Sequence, residues 1–183
     1  MAAEKNAARS QWLQAGLQLL QQQGPAALRI HNLTARLQLT TGSFYHHFKN
    51  RQDFNRALLE YWEEESTLRI IRQSESAGDP RSRIRALGRQ TLGIERGAEV
   101  AMRTWALENP RAAAVVQRVD EQRLAFIQRL LQEARIPKKQ AALHAKMIYA
   151  IFIGSQGMVV SVSEQELKSF YRALEALVFP KGS

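Results

Sequence analysis

LTARLQLTTGSFYHHFKNRQDF, residues 33–54, decides how the rest of the chain is read. It reads as a short helix, a tight turn and a second short helix starting at Thr40 or Thr41 and running through Phe48. Small polar residues at the start of that second helix suit the edges of bases in a groove. Tyr45, His46, His47 and Lys49 follow, with hydroxyl, imidazole and ammonium groups suited to phosphate oxygens. Phe44 and Phe48 stand four apart, share one face, and are expected to anchor the helix to its own core. Together these features point to a DNA-binding regulator rather than an enzyme.

The chain has 183 residues, enough for one sizeable domain or two small ones. With 45% hydrophobic residues a packed core is expected throughout. The absence of cysteine excludes disulfides and thiolate chemistry and fits a reducing, cytoplasmic setting. The first residues lack the charged-then-apolar pattern of a signal peptide, and the most apolar run, Met147 to Ile153, is far short of the roughly 20 residues that cross a bilayer. No membrane partner is therefore expected. The formal net charge is +9, which favours a polyanionic partner. Charge alone does not locate the site: residues 1–62 hold seven Lys/Arg and three Asp/Glu, a balance of +4, and the remainder carries +5.

Nearly every segment has helical periodicity, and sustained strand alternation is missing. The chain is expected to be all-α with about nine helices. The first carries the stripe Trp12, Leu13, Gly16, Leu17, Leu19 and Leu20 and ends at Gly24-Pro25. A short helix is expected from about Ile30 to Leu37, and Asn50 is placed to cap the helix that begins after it, which carries Phe54, Leu58, Tyr61 and Trp62 past Arg69. Asp79-Pro80 and Asn109-Pro110 are cap-then-proline starts. They open helices of about Pro80 to Gly93 and about Pro110 to Arg135, with another from about Glu95 to Glu108 between them. Pro137 opens an apolar helix, and Ser163 to Glu166 has the capping-box pattern ahead of the last one.

Residues 40–51, TTGSFYHHFKNR, resemble the signature of the TetR family of bacterial transcriptional regulators: a small polar residue, a variable one, Gly, Ser/Thr, an apolar residue, Tyr, a variable residue, His/Tyr, Phe and a basic turn. The specific likeness covers about residues 10–62. Two departures stand out. Gln38 occupies the place of the family's turn glycine, where a positive φ would strain it, and Thr34 replaces a usual alanine. The resemblance implies a three-helix DNA-binding domain with a helix-turn-helix at residues 1–50, and a helical effector-binding and dimerisation domain at 51–183.

Thr40, Thr41 and Ser43 are candidates for base or phosphate contact, with capping an equal explanation for one threonine. Gly42 either admits a close backbone approach to DNA or packs against a neighbouring helix. Tyr45 and Lys49 match phosphate-contacting positions of the family, His46 is expected to face DNA, and His47 matches an inward histidine with a core hydrogen bond. Arg29 and His31 are read as preceding the second helix, whose N-terminus is itself an anion site. Arg51 is a phosphate contact or a solvated charge. Adjacent histidines project about 100° apart, so a shared metal is not expected. Neither a cofactor nor a convergent acid, base and nucleophile set is expected either.

A short recognition helix gains specificity by pairing, so a homodimer on a palindromic duplex operator is expected, held through the two C-terminal helices near residues 137–179. The resemblance also implies release by a small-molecule effector held among the middle helices, with Trp62, Met102, Trp105, Leu107 and Phe126 as candidate lining residues and Arg103 as polar anchor. The alternative is a helical regulator acting through protein contacts with no such effector.

Overall fold

The structure, a computed structural model, describes residues 2–92, 94, 96–158 and 160–179, with backbone alone for residues 2–6 and 96. The described residues form helices α1 (Ala2–Gln23), α2 (Ile30–Leu37), α3 (Thr41–His47), α4 (Arg51–Glu63), α5 (Arg69–Glu75), α6 (Pro80–Leu92), α7 (Arg96–Glu108), α8 (Pro110–Glu133), α9 (Lys138–Gly157) and α10 (Glu164–Val178). A π turn, Glu64–Leu68, joins α4 to α5. Counting that run as one long helix leaves nine among the described residues, and the chain is all-α as the periodicity implied. The expected helix ends at Gly93 and Glu95 lie outside the described residues. No described helix is long and apolar enough to cross a membrane.

The caps explain most boundaries. Asn50 Oδ1 accepts from Asp53 N at 2.9 Å, Asp79 Oδ1 accepts from Arg81 N and Ser82 N, and Asn109 Oδ1 accepts from Arg111 N and Ala112 N. Ser163 and Glu166 close a reciprocal capping box, each side chain on the other's backbone N–H. The 3₁₀ turn at Pro25–Ala27 between α1 and α2 was not anticipated.

Two units pack separately: residues up to Glu65 with Gly97–Gln117, and Ser66–Arg96 with the chain from Arg118 onward. This packing boundary lies beyond residue 50, and α7 joins the first unit, which linear order could not reveal. In the first unit Phe44, Phe48 and Phe54 form a buried ring cluster with centroids 5.1–5.7 Å apart, and Trp12 of α1 meets Phe44 edge-on at 5.5 Å. Each such pair adds about 0.5–1.5 kcal/mol beyond its buried area. Gly16 lets α1 approach α4: a Cβ there would lie 2.6 Å from Phe54 Cζ. The Phe54 ring is fully buried and has nowhere to retreat. Gly16→Ala is therefore expected to cost about 1–3 kcal/mol in overpacking, more than the roughly 1 kcal/mol that alanine contributes to helix propensity. A lowered urea midpoint at unchanged slope would show it.

The α2–α3 turn is a left-handed cap. Gln38 has φ 54° and ψ 39°. Its N–H donates to Ala35 O at 3.3 Å, and Leu39 N–H donates to Thr34 O at 3.0 Å. That is the Schellman pattern glycine usually provides. The strain foreseen at Gln38 is thus present without a change of turn. Gln38→Gly should raise the unfolding free energy by about 1 kcal/mol, read as a higher urea midpoint. The other departure is also accommodated: buried Thr34 donates its hydroxyl to His31 O at 2.8 Å.

The second unit has a core of Ile127, Leu131, Ala141, Ala145, Tyr149, Phe152 and Val178. Beside it lies a cavity of about 370 Å³.

Candidate nucleic-acid interface

The two faces of α3 differ in exposure. Phe44 and Phe48 are buried, whereas Thr40, Thr41, Gly42, Tyr45, His46 and Lys49 are exposed and Ser43 is half-buried. Tyr45 is 53% exposed although its ring stands edge-on to Phe44 at 5.5 Å. A large aromatic ring on the surface, carried by a helix whose other face is solid core, is available to a partner. The cap question resolves in favour of Thr40: its Oγ1 accepts from Ser43 N at 3.2 Å. Thr41 begins the helix with its side chain exposed. For Gly42, a Cβ would meet only Thr40 Oγ1, at 3.7 Å, so no helix packing demands glycine there.

His47 is half-buried, with its ring edge-on to His46 at 5.2 Å and near Phe48 at 6.3 Å. Lys49 is held by its backbone: its N–H donates to Asp53 Oδ2 at 3.0 Å, which ties the end of α3 to the start of α4 and leaves the ammonium exposed. The Asp53 carboxyl is held below the usual carboxylate range, first by the Arg56 guanidinium hydrogen-bonded at 2.5 Å and then by the Lys49 N–H. Arg29, His31 and Arg51 are exposed; Arg29 precedes α2, whereas His31 lies within its first turn, and Arg51 opens α4. Arg29 is the N-cap residue of α2 but supplies no side-chain cap.

Two cations escaped the sequence reading. Arg9 of α1 lies over the Phe48 ring at 5.1 Å. Arg36 of α2 reaches Gln18 Oε1 and Gln22 Oε1 on α1 at 2.9–3.1 Å. The signal for them was in the chain: from Lys5 to Gln52 there are six Lys/Arg and no Asp or Glu. A stretch of one sign around α2 and α3 gives an attractive field for a polyanion.

The cavity of the second unit is the other candidate site. Its wall is mostly aliphatic, with Ile70, Leu87, Ile127, Ile148 and Leu174 prominent. The candidate lining residues fare unevenly. Phe126 is on this wall. Met102 and Trp105 are buried in the first unit, because α7 packs there, and Trp62 of α4 is buried in that unit as well. Arg103 pairs with buried Glu99 of its own helix at 2.7 Å. Leu107 is 85% exposed. Five of the six therefore lie off this wall, and aromatic spacing misled because solid core and void wall share one periodicity.

The polar group the sequence missed is Arg123. It is 8% exposed and lines the cavity. Its guanidinium donates to Thr67 Oγ1 at 3.0 Å, to Ser66 O and Oγ at 3.2 Å, and to the Tyr149 hydroxyl at 3.3 Å. Tyr149 in turn donates to Asp120 Oδ1 at 2.6 Å. A charged residue in step with Val119, Phe126 and Leu130 on α8 was the clue, since positions 119, 123, 126 and 130 fall on one face.

Comparison with known proteins agrees with this geometry. Residues 13–58 match the profile of the family described as "Bacterial regulatory proteins, tetR family". No curated protein matches the chain. Among solved structures, the reduced form of Escherichia coli NemR aligns at TM-score 0.75 and 22% identity, over 92% of this chain and 96% of that one. SCO4454, a TetR-family transcriptional regulator from Streptomyces coelicolor, aligns at 0.76 and 16% over 93% and 88%. A protein from Saccharomonospora viridis solved in complex with choline aligns at 0.75 and 18% over 93% and 96%. The fold is that of TetR-family regulators.

Proposed function

We propose that this chain, whose residues 13–58 are a tetR-family helix-turn-helix segment, is a transcriptional repressor that binds a palindromic operator as a homodimer and is released by a small-molecule effector. One observation carries the reading. The outward face of α3 presents Thr41, Gly42, Tyr45 and His46 together, with exposed Lys49 just past its end, in a stretch without a carboxylate, while Phe44 and Phe48 clamp the helix from behind. Thr41 and Ser43 at the start of α3 would read base edges, and Tyr45, Lys49 and Arg29 would hold phosphates. Selection of bound sequences from a random duplex library tests it. The reading expects an enriched palindrome with half-sites about one helical turn apart, or a multiple of it. Recovery of no sequence preference would remove it.

The dimer reading is supported by what α9 and α10 leave uncovered. Leu143 is 58% exposed on α9, and Phe170 and Leu177 are 41% and 56% exposed on α10. Ala150 and Gly154 are exposed along the Leu143 side, where small residues permit close helix contact. Burying these stripes against their copies would make a four-helix bundle. Leu143→Glu combined with Phe170→Glu should convert the dimer to a monomer in sedimentation at micromolar concentration. A wild-type protein that is already monomeric there would contradict the assignment.

The cavity favours an effector over the alternative of a regulator working by protein contacts alone. Coupling would run through Arg123: it binds Ser66 and Thr67, which belong to the π turn where the chain passes from α4 into α5. π turns often mark functional positions in helices. An effector that shifts Arg123 would act on that turn, and α4 carries Phe54, which packs against α3's own phenylalanines. To move the population from 1:99 to 99:1 it must bind the released form about 10⁴-fold more tightly.

A further inference from the structure

The charge distribution around the cavity specifies the kind of molecule it takes. The interior is mostly aliphatic and aromatic, its buried charge being Arg123, which is already bonded to Ser66, Thr67 and Tyr149. The ionisable side chains on its α6 and α10 walls are Arg81, Arg85 and Arg89 from α6 and Lys168, Arg172 and Glu175 from α10. Each set recurs at three- or four-residue spacing, so each forms one row along its helix. The five cations are all exposed, and Glu175 is half-buried. Glu175 is already bound by Arg85, with Nη2 to Oε1 at 2.6 Å. Lys168 pairs with Glu164 at 2.5 Å, and Arg81 lies over the Phe179 ring at 4.5 Å. Among the described residues, Arg89 and Arg172 have no acidic partner. The neutral polar pair nearby is internally satisfied. Thr91 donates its hydroxyl to Gly88 O at 2.9 Å, so the 3.0 Å contact between Thr91 and Tyr171 uses the phenolic proton. Recognition of a polar head at this rim is therefore left to the guanidinium groups.

From an apolar chamber with a rim of five cations and one neutralised acid, we infer that the effector is an amphipathic organic anion, an apolar body carrying a carboxylate or an acid group of equal charge, with its head between Arg89 and Arg172. Guanidinium groups hold such heads by paired hydrogen bonds that a neutral or cationic head does not form. This inference rests on reading the cavity as the effector site. It also sets the chain apart in ligand charge from a choline binder.

Calorimetric titration of the full chain with decanoate, decan-1-ol and decyltrimethylammonium tests it, because the three probes share one apolar chain and differ in the head. Decanoate is expected to bind at least tenfold more tightly than the alcohol, and the ammonium most weakly. Arg89→Glu with Arg172→Glu, both at exposed positions, should lower decanoate affinity at least tenfold and the alcohol's less than twofold. Leu87→Trp, which fills the chamber, should weaken all three. Equal affinity for the three heads, a preference unchanged by the charge reversals, or binding of none of them would overturn the inference. Duplex affinity measured on the same samples separates the two levels. Anion binding by a protein that never binds duplex leaves the ligand class standing and removes the regulator reading, whereas duplex binding with no anion preference does the reverse.

Discussion

Alanine at both Tyr45 and Lys49 is expected to lower affinity for duplex DNA about a hundredfold per half-site, and to do so alike for every duplex sequence. Tyr45 is exposed on α3 and Lys49 just past its end, and on the proposed reading both meet phosphate oxygens. Loss of one such contact is worth roughly 1.4 kcal/mol, a factor of ten, and the two sites contribute separately. The salt dependence should change with it. Removing the Lys49 ammonium from both protomers deletes about two released counterions per bound dimer, so the slope of log K against log salt should become shallower by about 1.8. Tyr45→Phe isolates the phenolic hydroxyl and should retain most of the packing on Phe44. By contrast Thr41→Ala and Ser43→Ala should alter sequence preference more than overall affinity. Fluorescence anisotropy at several salt concentrations measures all of these. A double variant that binds as tightly as the wild type, or one that changes preference while keeping its salt slope, would reverse the assigned roles.

The second large effect is predicted at Arg123. Replacement by Met keeps the length and apolar stem of the side chain but removes the donor now shared by Thr67 Oγ1, the Ser66 carbonyl and hydroxyl, and the Tyr149 hydroxyl, of which Tyr149 keeps its bond to Asp120. A buried polar group left without its partner costs about 1–3 kcal/mol, and neighbours in one network do not add fully. A net loss of about 3–4 kcal/mol is expected, visible as a much lower midpoint in denaturant unfolding. Arg123→Lys retains the charge and loses the fork, so it should fall between Met and wild type. A loss under about 1 kcal/mol for Met would mean that the network contributes little to stability. Because Arg123 also lines the cavity, the Met variant should bind duplex with altered response to any effector, which separates a coupling role from a purely structural one.

Much of this was legible in the chain because local chemistry decides it. The α3 motif, the Asn50, Asp79, Asn109 and Ser163 caps, and the stripe of α1 rest on residues within four positions of one another. Gln38 could be recognised as a strained left-handed residue from its place after a helix and before a recognition motif, and its φ of 54° bears that out. What was not legible depends on which helix packs on which. Periodicity marks Met102 and Trp105 as inward-facing, but it does not distinguish a filled core from the wall of a void. Their helix, α7, joins the first unit, so they fill solid core there. The true walls are largely ordinary aliphatic stripes of α5, α6, α8, α9 and α10. Arg123 was visible only as a charge at a core-facing register, a signal that gains meaning once Ser66 and Thr67 are seen opposite it.

The absence of cysteine from the chain permits a direct test of where α3 sits on DNA, since Thr41→Cys introduces a unique thiol. A DNA-cleaving iron chelate attached there, on protein bound to its selected duplex, is predicted to cut at two clusters about one helical turn apart or a whole multiple of it. The same reagent at Leu107→Cys, an exposed position outside the proposed face, should leave the duplex intact. Scission from residue 107 equal to that from residue 41, or an uncut duplex in a stable complex labelled at residue 41, would contradict the placement of α3 in the groove.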